Sequence, residues 1–576
     1  MSRPMLKHLL LPAALLLASC ATAPAGQTPT ATRTSARPAA PGMVSAADPR
    51  AAQAGREILD AGGSAADAAI ATLLALNVVE PQSSGIGGGG FLVYHDEKRD
   101  STTTFDGREE APSSAGPQWF YGPDGKPLGQ REAVPGGRSV GVPGNMRMIA
   151  LAHQKHGKLA WAKLFEPAIR LARTGFAVTP RLNRALTANS GLAASTPWGR
   201  STFYNADGKA KPVGTVVKNP EFAAFLESVA ARGPEWFYTG PNADALVRTV
   251  NGAARNPSRM AKGDLAAYDA KQRDPVCGMY RQYKVCGMGP PSSGGTTVFA
   301  ILKQLERFDM AALGPENPTS WHLLAESMRL AYADRELYLA DPDNVRVPVQ
   351  GLIDANYLKQ RSELIRPGQA LANVAAGTPP GAMNLMPAQV REVPQTSHFV
   401  AVDREGNVAS LTSTIEGPFG SGLTVNGYFL NNELTDFSIV PEVNGIPVAN
   451  RVEPGKRPRS SMAPTIVYGP DGEVRIAIGA AGGATIIVQV AKALVAVLDW
   501  KMSAQDAIAL PVIMGVGNQV RIERGSRLEA MAPALTAMGQ NVVLTEPGFK
   551  ANAIEWVGGR WVGAADPRSE GAAVSQ

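Results

Sequence analysis

Cysteine is nearly missing from this chain, with three residues in 576, and histidine is sparse, with six scattered positions. So few cysteines exclude a disulfide-built scaffold, and histidines this dispersed argue against a zinc centre, so no metal is expected. Aromatic residues are only 6% and charged residues 18%. Basic residues outnumber acidic ones 56 to 50, for a pI of about 9.1. No Lys/Arg cluster is interleaved with aromatics, however, so nucleic acid is not an expected partner. Past the N-terminus no run approaches the roughly 18 unbroken apolar residues of a spanning helix, which excludes a polytopic membrane protein. Repeats with a period of about 20–50 residues are lacking as well. What is present is a globular balance, 44% hydrophobic with a mean hydropathy of −0.09. That rules out disorder or a collagen-like repeat for the chain as a whole.

The first residues read as an export signal. Arg3 and Lys7 precede the apolar run Leu9–Leu17, which ends in Leu17-Ala18-Ser19-Cys20, the layout of a signal peptide. Small residues running into a cysteine resemble a bacterial lipoprotein signal, with Cys20 lipidated as the mature N-terminus. An ordinary signal with a chance cysteine is the alternative. Ala21, rather than Asp, implies by that resemblance release to the outer membrane on the periplasmic side. Residues 21–43 are rich in Ala, Pro and Thr and cannot bury enough surface to fold. The expected layout is a signal at 1–19, a tether at 20–43 and a folded body from 44, with membrane contact only through the anchor.

Export makes an oxidising compartment the expectation, which gives Cys277 and Cys286 meaning. If Arg281-Gln282 is a two-residue hairpin loop, the two cysteines are equidistant from it and face each other. A cross-strand disulfide and a pair of reduced, buried cysteines both fit that placement.

The body reads as one α/β layout. Asp48 caps a helix with Pro49 in its first turn and Ala51, Ala52, Ile58 and Leu59 on one face. Gly62-Gly63 stops it, and Ser64 with Asp67 opens a second, Ala-rich helix from Ala65 to about Asn77 in capping-box style. A further helix is expected over Trp321–Leu339, and a hairpin over Thr465–Tyr468 and Glu473–Ile478 around Gly469-Pro470-Asp471-Gly472. The glycines of Gly85–Gly90 match a dinucleotide loop by letter. Their context is wrong: a helix and Pro81 precede them and a strand follows, so close backbone packing is the better account.

The chemistry collects around Thr396. Pro394–Asp403 begins as loop and becomes a strand, Arg404-Glu405-Gly406 turns, and Asn407–Thr414 returns. With that loop Thr396 and Thr414 are equidistant from the turn and face each other, although a one-residue slip would undo this. Taken alone, a Thr-rich hairpin is an ordinary half-polar sheet face.

A set of runs changes that weighting: Ala51–Gly55, Val79–Gly89, Phe105–Pro112, Pro290–Gly295, Ala325–Arg335, Thr396–His398, Phe419-Gly420, Leu430–Asn432, Asp436–Ser438, Lys456–Met462 and Gly482-Gly483. In this order, over more than 500 residues, they resemble the gamma-glutamyltransferases (gamma-glutamyl transpeptidases) of the N-terminal nucleophile hydrolase superfamily. The resemblance implies a four-layer αββα sandwich made as a precursor that cuts itself between Gln395 and Thr396. It would leave a large subunit (44–395) paired with a small catalytic one (396–576). A threonine hydroxyl needs a base, and the new α-amine, with a pKa near 8, would serve. No Ser-His-Asp set and no cofactor is then required, and His398 reads as a strand residue packed under the site.

By the same resemblance Arg108 clamps a substrate α-carboxylate together with Ser460 and Ser461, a bidentate task that suits a guanidinium. Gly482 and Gly483 supply oxyanion N–H groups, Thr414 orients the nucleophile, Asp436 holds the α-ammonium, and Glu433 stands where members carry Gln or Glu. Two features depart from the pattern. Glu416 occupies a position usually filled by asparagine, bringing another carboxylate near Glu433 and Asp436. Ile439–Glu453, where some members have a lid, is short and holds Pro441 and Pro447, so only a partial lid is expected. The implied activity is transfer of a γ-glutamyl group from glutathione-like donors to water, amino acids or peptides. The alternatives are a glutaryl-type β-lactam acylase of the same superfamily and a non-catalytic peptide-binding lipoprotein.

Overall fold

A computed structural model describes residues 39–388, 395–546, 548 and 550–576, together with Met1. The rest of the signal segment, Cys20 and the tether up to residue 38 lie outside the described residues.

Two antiparallel sheets form the centre. Their strands are β1 (Met43–Ala46), β2 (Gly89–Asp96), β3 (Ser101–Gly107), β4 (Lys271–Arg273), β5 (Val276–Tyr280), β6 (Tyr283–Gly287) and β7 (Ser397–Val402). They continue with β8 (Val408–Thr414), β9 (Thr465–Tyr468), β10 (Val474–Ala481), β11 (Lys550–Val557), β12 (Arg560–Ala565) and β13 (Ala572–Ser575). One sheet runs β13-β1-β7-β8-β2-β3-β4 and the other β12-β11-β10-β9-β6-β5. Helices α1 (Pro49–Asp60) and α2 (Ala65–Val79) cover the first sheet, while α3 (Gly294–Leu305) and α5 (Thr485–Leu498) cover the second. With β7 and β8 packed on β10, the layers stack as the expected αββα sandwich.

Strand β7 shows why the sequence folds this way. Its side chains alternate, so Phe399 and Ala401 join the core under α1 and α2, and Val400 and Val402 join the core between the sheets. A strand buried on both faces must be apolar throughout, which explains the unbroken run Phe399–Val402.

Asp48 caps α1, and Ser64 with Asp67 forms a reciprocal capping box on α2. That second helix is buried along its whole length and runs two residues past Asn77. The expected Trp321–Leu339 helix is α4 (Pro318–Tyr338), which packs on α3 and starts earlier because Asn317 caps it ahead of Pro318. Strand β10 outlasts the expected Ile478 because Gly479, Ala480 and Ala481 continue the ladder with β11. Tyr280 pairs with Tyr283 around Arg281-Gln282, which sets Cys277 opposite Cys286 with a Cα–Cα distance of 4.2 Å, joined as a disulfide.

Candidate active site

Strands β7 and β8 pair with Val402 opposite Val408 and Ser397 opposite Ser413, the register that brings Thr396 to Thr414. Thr396 Oγ1 donates to Thr414 Oγ1 at 3.1 Å, and the same oxygen accepts the Glu416 N–H at 2.8 Å. The glycine run before β2 serves close packing: a Cβ on Gly88 would stand 2.0 Å from the Thr414 carbonyl oxygen. At the end of β10, the Gly482 N–H donates to the Gln395 carbonyl at 3.0 Å. That carbonyl belongs to the peptide bond of Thr396, so an N–H donor already holds the acyl group that precedes the threonine. Thr396 has φ +100°, a region ordinarily left to glycine, and for a β-branched residue a conformation costing roughly 1–3 kcal/mol. Gly482, at φ +134°, accepts a side chain only with strain, since its Cβ would lie 2.4 Å from Thr485 Oγ1.

Arg108, Thr396, Thr414, Glu416, Glu433, Asp436, Ser460, Ser461 and Gly483 all line one small cavity of about 10 Å3. Its charged end is Arg108, which follows β3 and is fully buried. Arg108 Nη2 donates to Asp436 Oδ2 at 2.6 Å and to the Arg459 carbonyl at 2.9 Å, Nη1 is paired with Glu433, and Nε donates to the Pro458 carbonyl at 3.0 Å. Burial opposes its charge, but Glu433, Asp436 and Glu109 outweigh that and raise its pKa. Burial pushes Glu433 up to about 7, against the pull of Arg108. Glu109, buried beside Glu433, is pushed well above the carboxylate range by burial and then by that neighbour. Neither of its side-chain oxygens meets a donor among the described residues, which is the burial that disfavours its charged form. A cavity of about 10 Å3 has room for roughly one water, so a small zwitterion carrying an acyl group can be received beside the threonine only by parting the Arg108–Asp436 pair and matching each of its charges.

The gamma-glutamyltranspeptidase family model matches residues 51–576, the span that builds this geometry. The chain belongs to the gamma-glutamyltranspeptidase family. It is 36% identical to the glutathione hydrolase proenzyme of Bacillus subtilis over 547 residues, covering 92% of this chain and 91% of that one. It is also 36% identical, over 510 residues, to the acylase ACY 1 proenzyme of a Pseudomonas species, covering 87% of each. Among solved structures, the cephalosporin acylase from Bacillus halodurans superposes with a TM-score of 0.80 at 27% identity, over 97% of this chain and 99% of that one. The αββα sandwich is accordingly that of the N-terminal nucleophile hydrolases.

The remaining members of this family site fall into place around it. Glu416 is buried with φ +73°, a left-handed backbone that asparagine tolerates better than glutamate. His398 lies under the site: Nδ1 is 2.8 Å from Thr412 Oγ1, the ring abuts Gly479, and burial lowers its pKa to about 3. Burial thus favours its neutral ring, and it is not in the cavity lining. The segment Ile439–Glu453 leaves Val440 and Val443 exposed and sends no side chain into that lining. Its second half acts from beneath, where Asn450 Nδ2 donates to the Asp436 carbonyl at 2.7 Å and Asn450 Oδ1 accepts the Arg459 N–H at 2.9 Å.

Several supports have roles that the sequence runs do not reveal. Ser83 Oγ donates to Gln395 Oε1 at 2.9 Å, holding the residue before Thr396. Beneath Thr396, Ser397 Oγ donates to Glu80 Oε2 at 2.6 Å, and Lys550 Nζ donates to the same oxygen at 2.8 Å. Their partners lie 317 and 470 residues away in the chain, so nothing local signals them. Among the described residues no group of three or more His, Cys, Asp or Glu is placed to hold a metal.

Proposed function

We propose that this chain is a γ-glutamyltransferase and hydrolase that matures by cutting itself between Gln395 and Thr396. Thr396 Oγ1 attacks the Gln395 carbonyl carbon, and the Gly482 N–H holds the oxygen as charge develops. The C–N bond then breaks, the nitrogen takes up a proton, and the chain is left as an ester on Oγ1. Water hydrolyses that ester to the Gln395 carboxylate and the Thr396 hydroxyl, leaving free the α-amine released in the shift, and the unfavourable φ at Thr396 favours that first step. The products are the large subunit up to Gln395 and the small subunit 396–576. They stay together as a heterodimer because each sheet contains strands from both.

In turnover the α-amine accepts the Thr396 hydroxyl proton, and Oγ1 attacks the γ-carbonyl of a donor such as glutathione. Arg108, Ser460 and Ser461 receive the donor's α-carboxylate, and Asp436 with Glu433 receives its ammonium. Gly482 and Gly483 hold the oxyanion, and Thr414 fixes the hydroxyl. Water, an amino acid or a peptide amine then takes the γ-glutamyl group from the threonine. The observation that carries this reading is the Arg108–Asp436 pair lining one cavity with Thr396. A glutaryl-accepting acylase is the second reading, favoured by the acylase relatives. Against it stand the two acids, to which a donor without an ammonium brings no cation. For localisation we favour an exported lipoprotein tethered through Cys20.

A denaturing gel of purified protein, run beside an assay for γ-glutamyl-anilide cleavage, tests this function. Wild type should give two chains and release the anilide, and Thr396→Ala should stay uncut and inactive. An active wild type that remains a single chain would sink the mechanism.

A further inference from the structure

We infer that Arg335 is a positioning residue for the donor's α-carboxylate, acting through Ser461; this rests on the γ-glutamyl reading above. Arg335 sits in the last turn of α4 and is buried. Its guanidinium forks toward the site: Nε donates to Ser293 Oγ at 2.8 Å, Nη2 donates to Ser461 Oγ at 2.6 Å, and Nη1 is paired with Glu336. Glu336 also takes Arg459 Nη2 at 2.6 Å, and Arg459 Nη1 donates back to the Arg335 carbonyl at 3.1 Å. Helix α4 thus grips the turn that presents Ser460 and Ser461.

The hydrogen-bond chemistry of that grip is directional. A serine hydroxyl has one proton and two lone pairs, whereas a guanidinium only donates. With Arg335 occupying a lone pair of Ser461, the serine proton must point elsewhere, toward the cavity Ser461 lines with Arg108 and Thr396. Donation from a charged group also polarises the O–H and strengthens it as a donor. Ser460 is set the same way, since its Oγ accepts the Met462 N–H at 3.1 Å. Two hydroxyls held as donors, with a guanidinium behind one of them, suit an anion such as the α-carboxylate. A purely structural bracket would hold the turn without caring which charge the substrate carries.

The test compares L-γ-glutamyl anilide with 4-aminobutyryl anilide, which differs only in lacking the α-carboxylate. Arg335→Gln should raise KM for the glutamyl compound by about tenfold or more, as expected for losing support to a charged hydrogen bond. Its kcat should change little, kcat/KM for the aminobutyryl compound should hold, and self-cleavage should persist. In a Ser461→Ala background the same substitution should cause no further loss. Arg335→Lys, which keeps the buried charge beside Glu336 but not the fork, gives the same readout if the Gln variant does not fold. Equal losses on both anilides, or full additivity with Ser461→Ala, would overturn the role of Arg335. A wild type that treats the two anilides alike would instead overturn the γ-glutamyl reading itself.

Discussion

Asp436→Asn probes the charge logic of the site with little change in volume. Asp436 Oδ2 accepts from Arg108 Nη2 at 2.6 Å, and both side chains are buried. A γ-glutamyl donor exchanges this one internal pair for two, its carboxylate on Arg108 and its ammonium on Asp436. With asparagine the ammonium meets a neutral amide in a desolvated site, a loss of about 2–5 kcal/mol, or roughly 30- to several-thousand-fold in kcat/KM. A glutaryl donor behaves in the opposite way. In wild type it takes Arg108 and brings no cation to the Asp436 carboxylate in exchange, so the asparagine variant should hold its rate or improve it. Self-cleavage should continue, because Ser83, Gly482 and Thr414 hold Gln395 and Thr396. The measurement is kcat/KM on γ-glutamyl and glutaryl anilides with the mature protein, beside a gel showing two chains. If both substrates fall together, Asp436 is a structural prop and the charge argument fails. A wild type that prefers the glutaryl compound makes the chain an acylase.

Three further outcomes are expected. Gly482→Ala keeps the backbone N–H but sets a Cβ against Thr485 Oγ1 at φ +134°, so by displacing that donor it should slow both self-cleavage and turnover, by up to the roughly 10²–10³-fold that one oxyanion donor is worth; a gel time course with normal cleavage but lost turnover would separate the two roles. Glu433 has its pKa raised to about 7, so KM for a γ-glutamyl donor should fall as pH rises through that value and the carboxylate ionises to meet the ammonium. By linkage, its protonated form adds stability on the order of 3 kcal/mol that is fully present below about pH 4.5 and lost as pH rises through 7. In Glu433→Gln both effects should flatten in pH-resolved kinetics and melting curves. Cys20→Ser should move the protein from membranes to the soluble fraction, and equal partitioning of both forms would remove the anchor.

What the sequence disclosed follows from the range of each interaction. Capping signals at Asp48 and Ser64, the turn at Gly406 and the pairing of Thr396 with Thr414 depend on residues close in the chain, so pattern and spacing reach them. Arg108, Asp436 and the two serines were legible only by likeness to a family, because their meeting depends on the fold. Glu109, Ser83 and Arg335 stand inside runs that carry the family likeness, yet their roles, like that of Lys550, went unread for one physical reason. Each acts by burial against a partner far away in sequence, and no local period or composition encodes such a contact. Glu416 lies between these cases: its identity was visible, but its left-handed backbone, which explains why asparagine suits the position, was not.

The interleaving of the sheets bears on how one site can serve two acyl groups. In the first sheet β7 and β8 come from beyond Thr396, while β1 and β2 on either side of them come from before it. In the second, β9 from beyond Thr396 pairs with β6 from before it. Breaking Gln395–Thr396 therefore removes no ladder, and Gly482 need not move. In the intact chain that glycine's N–H already holds the Gln395 carbonyl, which on the proposed mechanism is the first acyl group Thr396 attacks. Once the chain is cut, a donor's γ-carbonyl can take the place that carbonyl held, against the same N–H and the same hydroxyl. The oxyanion donor is thus fixed by folding before any substrate arrives, and self-cleavage supplies the one group the precursor lacks, the α-amine that serves as base.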